Sequence, residues 1–345
     1  MLDIYSDYLI SSFGQTTATA LGQILGISHD MITRFLSENE FKSKDLWDLV
    51  KKSVRKIESE DGVLIIDDTI EEKEYTDENS LITWHYDHNK GRNVKGVNIL
   101  TCLYHSKGIS IPVSFELVRK TEEYLGKDGK IKKKSPVSKN EMVRRMLETA
   151  RNNVLRYKYV LADKWFASSE NMKMIKHKLN KDFIFPVKKN RLLALTVEDR
   201  KAEIFVSVEE INIEADTERI VYLKDLDFAV KLTKKVFKNK DETEGILYLI
   251  SSDMSLTSEE IGKIYQKRWK IEEYHKSLKN NSSLKKSPTK TERTQSNHFF
   301  ASIYAEFKLE VLKMKTKLNH FALKQKIYIS ALQTAYDMMT ELTRA

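Results

Sequence analysis

The chain is poor in the residues that staple, kink or anchor other proteins. It has one cysteine, Cys102, in 345 residues. An internal disulfide and a zinc site built on cysteine thiolates are therefore both excluded. Four prolines and eleven glycines leave little room for long irregular linkers, and there is no internal repeat or low-complexity tract. No stretch approaches the roughly 18 consecutive apolar residues of a membrane span. The opening MLDIYSDYLI has no basic segment ahead of an apolar one, which argues against a secretion signal. A cytoplasmic chain with no membrane attachment is expected. A glycine-rich phosphate loop, a serine-nucleophile elbow and a dinucleotide fingerprint are also missing.

What is present in excess is positive charge. Fifty-nine Lys and Arg against 50 Asp and Glu give a formal net charge of +9, which favours a polyanionic partner. The length suits two or three domains.

Residues 1–60 read as helical. In TATALGQILGISHDMITRFL (17–36) an apolar-periodic segment breaks at Gly26 and restarts behind a cap at Ser28. That is the shape of a helix-turn-helix or of a plain helical hairpin. From residue 61 to 187 the texture is α/β. VLIIDD (63–68) reads as a buried strand ending in two acids, and VNILTCLYH (97–105) and ISIPVSFELV (109–118) flank an SKG turn. After a helix near 138–152 come YKYVLAD (157–163), a helix behind Ser168, and DFIFPV (182–187). The expected fold is a mixed five-stranded sheet with helices on both faces. A β-rich insertion (188–252) follows. Residues 253–315 return to helix, beginning at a Thr257/Glu260 capping box, and 316–345 form a helical tail.

The stretch YQKRWKIEEYHKSLK (265–279) carries the chemistry. At about 100° per residue, Tyr265, Arg268, Glu272 and Lys279 share one narrow stripe of a single helix. Ile264, Ile271 and Leu278 form a separate buried seam. Segment 263–290 has nine Lys or Arg and only two acids, Glu272 and Glu273. Lys276 and Trp269 sit just beside the stripe, and Glu273 points elsewhere. An acid at the end of a buried strand needs a compensating charge. Asp67 and Asp68 close one strand and Asp163 another. With Glu272 they would make an all-oxygen cluster suited to Mg²⁺ or Mn²⁺, ringed by phosphate-binding cations. Each acid alone is better read as a strand cap or a salt-bridge partner. WHYDHNKGRNVKG (84–96) lacks a fourth ligand for zinc and offers Lys90, Arg92 and Lys95 to phosphates. GKDGKIKKKSPVSKNEMVRR (126–145) reads as a basic solvated loop entering a helix.

These residues resemble a family. Tyr265-x2-Arg268-x3-Glu272-x6-Lys279 is similar to the Y-R-E-K signature of bacterial cut-and-paste insertion-sequence transposases of the DDE type. IIDDT and LADKWFAS resemble that family's first and second catalytic blocks, in the same chain order. The resemblance covers about residues 15–310. It implies a ribonuclease-H-like core in which Asp68, Asp163 and Glu272 hold two Mg²⁺ ions, with Mn²⁺ able to substitute. Asp68 is preferred to Asp67 because it directly precedes Thr69. Tyr265, Arg268 and Lys279, with Lys276 and Trp269 beside them, would bind DNA at the transposon ends. The implied partners are inverted-repeat and target double-stranded DNA, bound by a homodimer near the nucleoid. The implied reaction is a nick, a hairpin and strand transfer. The rivals are a domesticated DNA-binding protein and a metal-dependent endonuclease without strand transfer. The chain departs from the family in having no tryptophan in the insertion; its four stand at 47, 84, 165 and 269.

Overall fold

The computed structural model describes all residues except 89, 127–128, 239–241, 288 and 343–345. Four helices open the chain: α1 (Leu2–Ser11), α2 (Ala18–Leu25), α3 (His29–Glu38) and α4 (Ser43–Ile57). The α2–α3 turn follows its sequence signals. Gly26 takes the left-handed conformation (φ +64°) that ends α2, and the Ser28 side chain accepts the Asp30 N–H to start α3.

The middle of the chain supplies β1 (Val63–Glu72), β2 (Thr83–Asp87), β3 (Arg92–Ser106), β4 (Ile109–Leu117), β5 (Glu122–Leu125) and β6 (Ile131–Lys134). Next come α5 (Lys139–Asn152), β7 (Tyr159–Ala162), α6 (Ser169–Lys173) with a π-helical turn behind it, and β8 (Asp182–Val187). The five anticipated strands are β1, β3, β4, β7 and β8. They lie side by side in the order β4-β3-β1-β7-β8, and the β1–β7 and β7–β8 pairs are parallel. Lys107 and Gly108, both at positive φ, make the tight β3–β4 turn.

The expected count of five strands is corrected. Residues 188–252 do not form a sheet of their own. They contribute β9 (Leu192–Ala194), α7 (Val197–Lys201), β10 (Val206–Ser207), β11 (Glu218–Leu223), β12 (Val230–Lys238) and β13 (Glu244–Ser251). β13 pairs antiparallel with β8 and carries β12, β11, β9 and β10 outward, so eleven strands join one sheet. β8 would otherwise expose a ladder of unpaired N–H and C=O groups, and the insertion covers that edge. The basic loop near 126–145 is also corrected in part: β5 and β6 pair as a hairpin, while residues 127–128 lie outside the described residues.

The chain ends with α8 (Ser258–Gln266), α9 (Trp269–Asn281), α10 (Glu292–Thr316) and α11 (His320–Leu342). One large core joins the sheet to α4, α5, α8, α9 and part of α10. A smaller one packs Tyr5, Leu9, Leu21, Ile32 and Leu36 of the N-terminal helices against Ala301, Ala305 and Leu309 of α10. Among the described residues no helix is long and apolar enough to cross a membrane.

Candidate active site

β1 begins as four fully buried residues, Val63–Ile66, and reaches partial exposure only at Asp67. Successive side chains of a strand point to opposite faces, so Asp67 and Asp68 must part company. β7 runs parallel to β1 with Ala162 opposite Ile66. Asp163 therefore follows β7 at the level of Asp67. Its Oδ1 accepts the Trp165 N–H at 2.7 Å, closing the turn that ends the strand.

Electrostatics follow this geometry. The Asp67 carboxyl is pushed up to about 7, first by burial and then by the charges of Asp68 and Asp163. The Asp68 N–H, which donates to Asp67 Oδ1 at 2.9 Å, and the Arg268 guanidinium oppose that rise. Asp68 is held differently. Its Oδ2 accepts from the Asn98 amide on β3 and from the Lys139 ammonium at the start of α5. Asp67 is the member of the pair on the side of Asp163 and Arg268, while Asp68, expected to meet Asp163, pairs with Asn98 and Lys139. Strand alternation was the available signal; Asn98 and Lys139, far apart in the chain, carried none.

The expected single helix is corrected too. It breaks at Lys267–Arg268 into α8 and α9. Across the break, Lys267, Arg268, Lys270 and Ile271 donate to residues three positions back, at 2.9–3.1 Å. This tighter winding ends one helix and starts the next, yet Arg268 still reaches back to the Tyr265 ring at 5.8 Å and forward to Glu272. Tyr265 is buried, and its hydroxyl donates to the Ala162 carbonyl at 3.4 Å. Arg268 reaches Glu272 at 2.6 Å and Asp67 at 3.8 Å, and its side chain is only 12% exposed. Its guanidinium lies 5.3 Å from the centre of the exposed Trp269 ring. Lys279 donates to the Ile70 carbonyl at 2.6 Å, tying α9 to β1. Lys276 turns away, its ammonium 5.8 Å from the Phe321 ring on α11.

Arg268 thus contacts Tyr265, Asp67 and Glu272, and Asp163 lies level with Asp67, while Asp68 acts on Asp67 through its charge and Lys276 lies toward Phe321. The loop cations differ from expectation as well: Lys90 and Arg92 are paired with Glu72. His85 is buried and hydrogen-bonded to Thr83. Among the described residues no three His, Cys, Asp or Glu side chains are grouped to hold a metal ion; the Arg268 guanidinium stands between Asp67 and Glu272. The donor set nevertheless fits a hard divalent cation. All its donors are carboxylate oxygens, and the charges of Asp68 and Asp163 add to burial in raising Asp67.

A large mixed sheet with flanking helices, and two acids at the ends of adjacent parallel strands, define a nuclease-type α/β enzyme. The chain belongs to the DDE superfamily endonucleases, whose family model matches residues 1–202. A transposase DDE domain model matches residues 134–305. No curated protein matches the chain significantly. Domains of this kind act on DNA and generally use divalent metal ions.

Proposed function

We propose that the protein is a DNA transposase of the Y-R-E-K insertion-sequence type, cutting and joining DNA as a homodimer. The observation that supports this reading is the place of Asp67, which lies level with Asp163, has its pKa raised by burial and then by that charge, and is linked through Arg268 to Glu272. Asp67 takes the place first given to Asp68, because it shares a sheet face with Asp163 and a guanidinium with Glu272.

In this reading Asp67, Asp163 and Glu272 hold the divalent ions, which when bound activate water and neutralise phosphate charge. Arg268 exchanges a carboxylate for a DNA phosphate, to which its fork makes a two-point contact. Tyr265 fixes α8 against β7 and so sets the height of Arg268. Trp269 covers the outer side of that guanidinium. Lys279 holds α9 at the correct distance from β1. One strand is nicked, its 3′-hydroxyl attacks the opposite strand to form a hairpin, and the reopened end joins target DNA. The α2–α3 pair is assigned to duplex binding. The exposed face of α3 carries Arg34 between Asp30 and Glu38, so most of the affinity is assigned to the basic surface around the carboxylates.

The test is a cleavage and joining assay on the DNA that flanks the gene, with Mg²⁺, for the wild type and Asp67→Asn. Nicks, hairpins and joined products from the wild type alone support the reading. Nicks without joining reduce it to an endonuclease, and binding without nicks to a DNA-binding protein.

A further inference from the structure

Between β4 and α5 the chain leaves the large sheet as a two-stranded ribbon. Among the described residues β5 and β6 pair with each other and with no other strand. A lone hairpin of this kind is only marginally stable in water, so a partner is needed to hold it in place. At its outermost rung Leu125 lies directly opposite Ile131, and paired residues leave the same face of a ribbon. These two side chains are 73% and 72% exposed. Tyr124, on the next rung with Lys132, is exposed as well.

The charge around this apolar rung has one sign. The stretch YLGKDGKIKKK (124–134) carries five lysines and one acid. Toward the root, Lys134 reaches Glu122 at 3.4 Å and Lys133 reaches Glu78 at 3.6 Å. Among the described residues of the outer half, Lys130 and Lys132 stand on either side of Ile131 and no acid accompanies them. A second copy of this chain, at +9, would bring like charge to these lysines; a polyanion complements them. The root also stands close to the candidate active site. Five residues beyond β6, the Lys139 ammonium contacts Asp68 at 2.7 Å.

We infer that the β5–β6 hairpin is a wedge for duplex DNA of any sequence. Leu125 and Ile131 enter the minor groove and partly unstack one base step, while Lys130 and Lys132 hold the phosphates that border it. Leucine and isoleucine are among the side chains that part base steps and kink a duplex, by about 20–90°. Lysine–phosphate contacts read no bases. Each strand has four residues, which makes the ribbon about 13 Å long. The minor groove is roughly 7.5 Å deep, so the tip reaches a base step while the body of the protein stays outside the backbone. The choice of DNA as the polyanion rests on the proposed function; the exposed apolar rung and its lysines do not.

The test titrates the full chain, in EDTA so that no cleavage occurs, into a duplex of about 30 base pairs of arbitrary sequence with donor and acceptor dyes at its ends. Wild type is expected to raise the energy transfer, as a kink brings the ends together. Leu125→Ala with Ile131→Ala should abolish most of that rise and still bind within about threefold of wild type, because affinity lies in the phosphate contacts. Leu125→Met with Ile131→Met should keep the rise, since methionine also acts as a wedge. Lys130→Ala with Lys132→Ala should keep the kink at saturation and lower the salt slope by about 1.8, from about 0.9 per phosphate contact. All four side chains are exposed, so the fold is retained. No rise with wild type, an unchanged rise in the apolar pair, an unchanged slope in the lysine pair, or a kink confined to the gene's own flanking sequence would overturn the wedge. So would weaker self-association of Leu125→Ala with Ile131→Ala at an intact kink, which assigns the rung to a second copy. No metal or cleavage enters this measurement. A wild type that kinks DNA and never nicks it therefore removes the nuclease reading and leaves the wedge standing, and normal nicking with an unchanged kink in the apolar pair does the reverse.

Discussion

Arg268 bridges Glu272 and Asp67, with one guanidinium nitrogen 2.6 Å from Glu272 Oε1 and the other 3.8 Å from Asp67 Oδ2. The link joins α9 to the central strand of the sheet across more than 200 residues of chain. It also ranks the carboxylates, because Glu272 is 43% exposed at the side chain and Asp67 only 19%.

The first prediction separates the two adjacent acids. Asp67→Asn should reduce Mg²⁺-dependent nicking by at least about 1,000-fold, the order expected for losing a group that acts on the reacting phosphate. Asp68→Asn should instead act through stability, since it weakens the contacts to Lys139 and Asn98. A loss of about 1–3 kcal/mol is expected for breaking that part-buried pair. Nicking rates and urea denaturation of both variants check this. Equal nicking by Asp67→Asn and wild type would remove Asp67 from the site.

Glu272→Gln should stop nicking while leaving DNA-end binding within a few fold. The change keeps the size of the side chain and removes its charge, and affinity resides mainly in cation–phosphate contacts. Gel-shift titration alongside a cleavage time course checks both halves.

Arg268→Ala should slow cleavage by about 100-fold with only a modest loss of affinity, because a misplaced phosphate costs far more in rate than one lost contact costs in binding. Arg268→Lys should recover little, since an ammonium cannot reproduce the planar fork. Single-turnover rates on pre-nicked DNA, with hairpin yield scored, check this.

Tyr265→Phe should be nearly silent. Its hydroxyl makes one long bond, 3.4 Å, to the Ala162 carbonyl, which is worth at most about 1 kcal/mol. Tyr265→Ala should cost about 3–5 kcal/mol as a buried aromatic truncation. If Tyr265→Phe instead lost strand cleavage at full stability, the hydroxyl would be a phosphate ligand rather than a packing contact.

A pH dependence is expected where α11 docks. His320 lies 2.7 Å from both Glu306 and Glu310, which are almost fully buried. Burial alone would lower its pKa, but the two glutamates outweigh it and raise the value to about 9. The folded pKa lies above the ordinary 6.5, so the stabilisation is complete below about pH 6.5 and is lost as pH rises through 9. Its upper limit is on the order of 3 kcal/mol. Thermal unfolding of wild type and His320→Gln should show a gap at pH 6 that narrows by pH 9.5. A gap that does not change with pH would mean His320 is not charged in the fold.

Much of the fold was legible because it is local. The left-handed Gly26, the caps at Ser28 and Ser168, the Thr257/Glu260 box and the apolar runs of β1, β7 and β8 depend on neighbours a few residues away. The insertion was recognisable as β-rich from its alternation, but its attachment to β8 was not, since pairing partners are chosen by which edge remains open. The resemblance named the right superfamily from motifs in sequence order.

By itself the sequence determined the main strands β1, β3, β4, β7 and β8, the helical ends of the chain, the basic surface and the short list of acids. Only the tertiary structure decided which acid of the Asp67–Asp68 pair faces Asp163. That choice depends on the parallel register of β1 with β7 and on the Lys139 ammonium pairing with Asp68. It likewise decided that the helix carrying Tyr265–Lys279 is broken in two. A wheel drawn at a constant 100° per residue assumes an unbroken helix, and the three-residue hydrogen bonds at Lys267–Arg268 break that assumption. Tyr265 goes into the core, Arg268 goes between two carboxylates, and Glu272 is left half exposed.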